Sequence, residues 1–310
     1  MRRRLFAATT ASAVLVTGLV GCSTQSVSPE TCVSPLQSGL LSSGVELSGF
    51  DGTTPEIIIA SGADSLNAQR SVVQRGDSEV AMTGGEVVTA NITVFDASTS
   101  ETLMPTQKRF LQALPEEFLG DLGELLTSSR ADQLQYTDIL MAGLVCAAPG
   151  DVLAITTTAG QSASSGLGEH ATVMIVEVLG AQGAAASGSS RTLPAGFPAL
   201  TQDETGRPGI VLPPLDPPTE LQVATSIEGR GAILTAEDYA LGQVLTVSWD
   251  GRVIQNTWES SLVELGSESQ PGTFALRQEL TGLPIGSRVV ILDPQSGTPQ
   301  VHIVDIIAAG

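Results

Sequence analysis

The stretch VMIVEVLGA, residues 173–181, decides the fold, because it returns at the end of the chain as VHIVDIIAA, residues 301–309. Both are runs of β-branched and aliphatic residues, which are typical of a buried β-strand. Two further pairs follow the same order: GGEVVTANI from Gly84 with LGQVLTVSW from Leu241, and APGDVLAI from Ala148 with PIGSRVVI from Pro284. Three matching blocks in one order indicate an internal duplication. We therefore predict two copies of one small β-rich domain.

Composition places the boundaries between the copies. Residues 180–218 are rich first in Gly, Ala and Ser and then in Pro. We assign a first domain to residues 45–182, a linker to residues 183–204 and a second domain to residues 205–310.

Strand patterns dominate both predicted domains. EVVTANITVF, VLAITTT, QVLTVSW and RVVILD all carry β-branched residues next to turn residues. Helical patterns are few: the longest covers residues 106–134, where Pro115 must start or break a helix, and a shorter one covers residues 271–280. The expected fold class is α+β and mainly β.

The N-terminus has the pattern of an export signal. Arg2–Arg4 precede an apolar run, and LVGC, residues 19–22, closes that run. This order predicts a signal peptide over residues 1–21, and LVGC resembles a bacterial lipobox in which Cys22 is lipidated. An ordinary signal peptide with a chance cysteine is the alternative. Residues 22–44 are rich in Ser, Thr, Pro and Gly and predict a flexible tether. We expect an exported, extracytoplasmic protein that is attached to the cell membrane by lipid.

The charge of the chain limits its partners. Removal of residues 1–21 takes away three arginines and no acidic residue, so the formal net charge of −19 becomes −22. Such a surface repels nucleic acid and anionic headgroups, so we expect neither as a partner. The hydrophobic content of 42% favours packed domains over disorder, and a monomer is expected.

The few cysteines and histidines restrict the possible chemistry. Besides Cys22 the chain has Cys32 and Cys146, which form either a disulfide or two separate buried thiols. The two histidines, His170 and His302, lie in different copies, each at the start of an apolar strand. This pattern disfavours a His/Cys metal site and a Ser-His-Asp triad, and no phosphate-binding loop motif is present. We expect neither metal nor cofactor. Rotation about a peptide bond is a reaction that needs neither.

The second copy resembles FKBP-type peptidyl-prolyl isomerases. GRG, residues 229–231, is similar to the family's early turn, and GQVLTVSW matches its long strand after Gly-Gln. NTWESS is similar to its aromatic-acid-Ser-Ser element, and VHIVDII to its closing strand. The first copy shares this frame with a longer insert after Thr99, and GLGEHATVMIVEVL resembles the family's last loop and strand. The resemblance implies a bent antiparallel sheet around a short helix in each copy.

The same resemblance implies a pocket in the second copy. Trp249 takes the place of a pocket tyrosine, Trp258 that of a phenylalanine, and Glu259 that of the neighbouring aspartate. Leu276 replaces the tryptophan of the pocket floor, and His302 lies near a pocket aromatic on the last strand. Val263 takes the place of a second phenylalanine. The two indoles are then expected to come from paired strands and to face one apolar cavity.

The implied function is prolyl isomerisation of proline-containing polypeptides by the second domain. An apolar pocket favours the twisted amide, which has lost resonance, over the planar ground state. The loop before the last strand is reduced to QSGTPQ, without the family's tyrosine, and the floor tryptophan is a leucine. The alternative is therefore a catalytically weak or inactive FKBP-like chaperone or peptide-binding lipoprotein. For the first domain we expect little or no activity.

Overall fold

The computed structural model describes residues 27–49, 53–59, 66–259, 262–270, 272–294 and 298–310. The predicted signal peptide and Cys22 lie outside these residues. Among them, no helix is long and apolar enough to cross a membrane.

The described part of the first half contains seven strands, four α-helices and a 3-10 turn, Ala131–Gln133. In chain order they are α1 (Leu40–Ser43), β1 (Val45–Ser48), β2 (Glu56–Ile59), β3 (Gln69–Gln74), β4 (Val87–Asp96), β5 (Thr102–Gln112), α2 (Glu116–Leu126), α3 (Tyr136–Leu144), β6 (Val152–Thr156), α4 (Ala159–Ser164) and β7 (Thr172–Gln182). Pro115 caps the N-terminus of α2 at φ −60°, a value that its ring imposes.

In the residues that the structure describes, the second half contains nine strands and two short 3-10 turns. The strands are β8 (Gly188–Ser190), β9 (Ala199–Gln202), β10 (Pro208–Val211), β11 (Gln222–Gly229), β12 (Ala240–Ser248), β13 (Val253–Asn256), β14 (Val263–Gly266), β15 (Arg288–Asp293) and β16 (Gln300–Ala309). The 3-10 turns are Thr257–Glu259 and Arg277–Leu280.

The two main sheets have the same strand order. The first is β3-β6-β7-β4-β5, and the second is β11-β15-β16-β12-β13 with β8 added at one edge and β14 paired to β12. All of these pairs are antiparallel. Gly150 and Gly286 precede the equivalent strands β6 and β15 at φ +90° and +91°, a region that glycine adopts without steric cost. The predicted duplication and the mainly β class are confirmed.

Each sheet is covered on both faces. We call the face that packs against α3, or against the 3-10 turn Arg277–Leu280, the helix face, and the other the outer face. In the first half the outer face packs against α1 and the β1–β2 hairpin, through Leu41, Val45 and Ile59. In the second half it packs against the β9–β10 hairpin region, through Leu200 and Ile210. The repeat therefore includes a covering hairpin that precedes each sheet.

This hairpin corrects two predicted boundaries. Residues 183–204 are not a linker, because β8 belongs to the second main sheet and β9 to its covering hairpin. The described part of the predicted tether is also packed: Leu36 and Leu41 are buried, and a disulfide joins Cys32 to Cys146 at the end of α3. Of the two states left open for these cysteines, the structure has the disulfide.

The helical prediction for residues 106–134 was wrong at its start. Residues 106–112 belong to β5, which pairs with β4 from Thr102 to Gln112, and helix begins only after Pro115. In the second half, the helix predicted for residues 271–280 is reduced to the 3-10 turn Arg277–Leu280.

The two halves meet in a small apolar contact. Val87 and Phe110 of the first half pack with Leu262, Ile307 and Ala308 of the second.

Candidate functional site

Trp249 and Trp258 both lie on the outer face of the second sheet. Trp249 packs against the core of that face, and its indole N–H donates to the Leu215 carbonyl at 3.0 Å. Trp258 lies 6.0 Å from the guanidinium of Arg288, which is buried in an ion pair with Asp305. Trp249 therefore packs in the layer beneath the covering hairpin, and Trp258 lies beside the buried Arg288–Asp305 ion pair.

Glu259 lies on the same side as Trp258. Its carboxylate accepts a hydrogen bond from Arg207 at 2.7 Å, and Arg207 lies between β9 and β10. Both side chains are largely exposed, so this pair contributes little to stability.

Leu276, His302 and Val263 lie on the helix face instead. The His302 ring lies 5.8 Å from the Phe274 ring at 79°, an edge-to-face contact, and Thr246 Oγ1 lies 3.0 Å from His302 Nδ1. Leu276 and Val263 pack against the core of this face.

The predicted pocket that combines the tryptophans, Glu259, Leu276 and His302 is therefore wrong. Side chains alternate between the two faces of a strand, and Thr246 pairs with His302 in the register of β12 and β16. Trp249, three residues after Thr246, consequently projects to the outer face. Trp258 follows Thr257, whose side chain bonds to Gln243 in β12. Gln243 and Trp249 are six residues apart, which is about 20 Å along a strand, so the two tryptophans lie towards opposite ends of β12.

His302 is held in a largely apolar setting. Burial lowers the pKa of His302 below its ordinary value, and the carboxylate of Asp293, 3.7 Å from Nε2, partly opposes this effect. His302 is 9% exposed and is uncharged at neutral pH. It is a packed histidine of the core.

An open apolar pocket exists in the first half, on the helix face. Its volume is about 270 Å³, and it lies between the β4–β5 pair and the N-terminal part of α3. Ile92 and Leu140 are buried at its floor, and Met104 and Tyr136 are partly buried in its walls. A volume near the lower end of the range for ligand pockets fits one side chain of an extended peptide.

Polar side chains line the mouth of this pocket. Arg109 donates a hydrogen bond to the Gln107 side chain, and both lie beside Pro105 and Thr137. Lys108 lies between them in sequence and projects to the outer face, because successive side chains of β5 point to opposite faces of the sheet. The pocket therefore combines an apolar floor with hydrogen-bonding groups at its rim.

Sequence reasoning missed this pocket because the motifs with aromatic residues lie in the second copy. The available signal was YTDILMAGL, residues 136–144, which has an apolar helical period directly before the APGDVLAI block. Among the described residues, no group of three or more His, Cys, Asp or Glu side chains is placed to hold a metal ion.

No protein-family model and no curated protein matches the chain. Solved structures to which it is similar include the three FKBP domains of wheat FKBP73, with a TM-score of 0.28, 8% identity, and coverage of 79% of this chain and 95% of that one. The putative peptidyl prolyl cis-trans isomerase FKBP12 from Mycobacterium tuberculosis matches with a TM-score of 0.24, 19% identity and coverage of 31% and 88%. FkpA from Escherichia coli matches with a TM-score of 0.25, 12% identity and coverage of 37% and 52%.

Proposed function

We propose that the chain is a prolyl isomerase of the FKBP type that acts on extended polypeptides, and that its working site is the pocket of the first half. The observation that carries the proposal is the open cavity of about 270 Å³ over Ile92 and Leu140, flanked by Tyr136. The sequence motifs of the second half support the family, whereas Trp249 packs beneath the covering hairpin and Trp258 lies against Arg288.

The pocket supplies the property that the reaction requires. Amide rotation has a barrier of roughly 18–20 kcal/mol, because the planar amide is stabilised by resonance and charge separation. An apolar floor stabilises the less polar twisted amide relative to the planar one, and each 1.4 kcal/mol of such difference gives about a tenfold acceleration. Gln107, Arg109 and Tyr136 are placed to donate hydrogen bonds to peptide carbonyls on either side of the proline.

We also propose that the protein works outside the cytoplasm, attached to the membrane through lipid on Cys22, with proline-containing polypeptides as clients. The sequence pattern LVGC supports this placement. Membrane fractionation of cells that produce Cys22→Ser tests it: we expect the variant to leave the membrane fraction, and retention of the variant there would contradict the proposal.

The activity test uses the full chain and an X-Pro peptide whose exchange is followed by NMR line shapes. Uncatalysed exchange takes tens to hundreds of seconds, so acceleration is readily measured. Thr137 is exposed at the pocket mouth, and Thr137→Trp should block the pocket and remove most of the acceleration. Gln133→Trp, also exposed and just before α3, is the matched control and should retain it.

The variant Trp258→Ala tests which of the two halves carries the isomerase site. Because Trp258 lies on the outer face of the second half, we expect this variant to keep the acceleration. Loss of activity in Trp258→Ala, with Thr137→Trp unaffected, would place the site in the second half and overturn our assignment. Saturable peptide binding at the pocket without any acceleration would establish the binding-protein alternative.

A further inference from the structure

The last strand of the first sheet, β5, has one edge without a neighbouring strand. Among the described residues, β5 pairs with β4 alone, over Thr102–Gln112. The backbone N–H of Thr106 donates to the side chain of Thr54, between β1 and β2, at 3.4 Å. Beyond this contact, residues 107–109 are exposed. We call residues 107–112 the open edge, and it runs beside the mouth of the apolar pocket.

The direction of the backbone groups along the open edge follows from the register. The Ala113 N–H donates to the Glu86 carbonyl at 2.8 Å, and these two residues lie opposite each other because Val87 pairs with Gln112. In an antiparallel pair, residues that exchange hydrogen bonds alternate with residues whose N–H and C=O groups point away. The odd-numbered residues from 107 to 111 therefore bond to β4. The backbone groups that face away from β4 are those of Lys108, Phe110 and Gln112.

These backbone groups are a template for a further strand. In the part of the chain that the structure describes, the backbone of Lys108 or Phe110 makes no hydrogen bond to another backbone group outside the sheet. A row of N–H and C=O groups at a strand edge pairs readily with another extended chain. The open edge therefore offers main-chain hydrogen bonds to an extended polypeptide.

The same register determines where a proline fits. Leu111 packs on the helix face, so Arg109 and Gln107, two and four residues earlier, lie on that face too, at the rim of the pocket. Residues directly opposite each other in an antiparallel pair share a face. A polypeptide residue opposite Gln107 or Arg109 therefore faces the pocket side, and its own N–H points away from β5. Proline lacks that N–H, so these positions accept it.

The charge of the open edge favours an acidic polypeptide. Arg109 donates a hydrogen bond to the Gln107 side chain, and it belongs to none of the ion pairs between described residues. β5 carries Lys108 and Arg109 without an acidic residue, in a chain that has 33 acidic and 14 basic residues. Opposite charges that face each other across two strands stabilise their pairing. An acidic side chain opposite Arg109 is therefore favoured.

We propose that clients bind as an added antiparallel strand along the open edge, with a proline opposite Gln107 and an acidic residue opposite Arg109. Gln107 is selected because it pairs with Ile92 of the pocket floor, and because the edge ends at Thr106, whose N–H is bonded to Thr54. In an antiparallel strand the acidic residue then precedes the proline by two positions. The recognised segment is Asp/Glu-x-Pro. This inference rests on the proposed function for the choice of proline, and it adds an orientation and a sequence preference.

The test is amide hydrogen exchange of the full chain in detergent, measured by NMR with the peptide acetyl-Thr-Val-Thr-Glu-Thr-Pro-amide. At saturating peptide we expect slower exchange of the Lys108 and Phe110 amides. The Arg109 and Leu111 amides bond to β4 and should exchange slowly with or without peptide.

Two methylated peptides test the register. The third residue of the peptide faces Phe110 and donates its N–H to β5, so N-methylation there should weaken binding about tenfold or more. The fourth residue, Glu, faces Arg109 with its N–H pointing away, so N-methylation there should change the affinity by less than about twofold. Equal affinities of the two methylated peptides would overturn the proposal.

Variants of β5 make the result specific. Lys108→Pro removes an N–H that faces the open edge and leaves the pairing with β4 intact, so it should weaken binding about fivefold or more. Lys108→Ala keeps the N–H and is the matched control. The Glu peptide should bind about threefold more tightly than its Gln counterpart, and Arg109→Gln should remove this preference. If Lys108→Pro does not fold, the methylated peptides still decide the register.

The remaining outcomes separate this inference from the proposed function. Unchanged exchange of the Lys108 and Phe110 amides at saturating peptide would overturn the inference, even if the chain accelerates X-Pro exchange. Protection by the peptide without acceleration would support the inference and contradict the isomerase. Protection that grows with protein concentration in the absence of peptide would identify a second copy of the chain as the occupant, and this would also overturn the inference.

Discussion

At the scale of single residues, alternation along a strand determines the role of each predicted site residue. His302 and Val301 are neighbours in β16, yet His302 meets Phe274 on the helix face while Val301 packs on the outer face. Trp249 is brought to the outer face by the same rule, although its residue type fits a pocket. A shift of one residue in register decides whether an aromatic side chain lines a cavity or a packed layer.

The burial of His302 predicts a pH dependence of stability. Because burial lowers its pKa in the folded state, the unfolded chain binds the proton more tightly. The stability that the folded protein has with His302 uncharged is therefore fully present above about pH 7. It is lost as the pH falls below the ordinary histidine pKa near 6.5, because protonation then favours the unfolded chain. Urea unfolding at about pH 7.5 and at about pH 5.5 should show a loss of stability that His302→Gln reduces.

The second histidine gives the control for this prediction. His170 is exposed and lies 3.0 Å from Asp96 in the first half. His170→Gln should keep the part of the pH dependence that His302→Gln removes. An identical pH dependence in the wild-type chain and in His302→Gln would show that His302 is not the group responsible.

At the scale of elements, the disulfide attaches the N-terminal segment to the end of α3, the helix that carries the pocket floor. It closes a loop with a sequence separation of 114 residues. Its removal should destabilise the first half by about 2–5 kcal/mol, because the unfolded chain gains conformational freedom. Thermal unfolding of Cys32→Ser/Cys146→Ser, followed by circular dichroism, measures this change.

The backbone at Cys146 provides a matched variant. Cys146 has φ +68°, a conformation that costs a residue with a Cβ about 1 kcal/mol relative to glycine. Cys32→Ser/Cys146→Gly should therefore recover about 1 kcal/mol relative to Cys32→Ser/Cys146→Ser. Equal stability of the two double variants would contradict this account of Cys146.

The elements also show which parts of the fold can be predicted from sequence. β7 and β16 were predictable because long runs of β-branched and aliphatic residues specify buried strands. β5 was not, since KRFLQ has the polar and apolar spacing of a helix and becomes strand only by pairing with β4. The covering hairpin β9–β10 was missed because its Pro and Gly residues are typical of a linker, while its burial depends on the distant outer face of β15 and β16.

The candidate sites were less predictable than the fold. The resemblance located a pocket in the second half, but a pocket forms only where the floor remains unfilled, and this depends on packing between distant residues. Phe274 fills the space next to His302, whereas Leu140 and Ile92 leave a cavity.

At the scale of the whole molecule, the two copies have diverged around one frame. Both keep the strand order and the covering hairpin, and they differ in what occupies the helix face. The first copy holds the open pocket, while the second contributes Ile307 and Ala308 to the contact between the halves. We infer that the second copy serves largely to support the first.

This inference predicts thermodynamic coupling between the halves. Both tryptophans lie in the second half, so their fluorescence reports its unfolding, whereas circular dichroism reports both halves. The two probes should give one common midpoint in the wild-type chain.

Ile307 is 1% exposed in the contact between the halves, and Ile307→Ala should separate the two midpoints. Ile303→Ala is the matched control: it removes an equally buried isoleucine from β16, but inside the core of the second half. Each substitution should cost about 2–5 kcal/mol, so only the separation of midpoints distinguishes the interface from the core. Separate midpoints in the wild-type chain would show that the halves unfold independently and that the contact does not couple them.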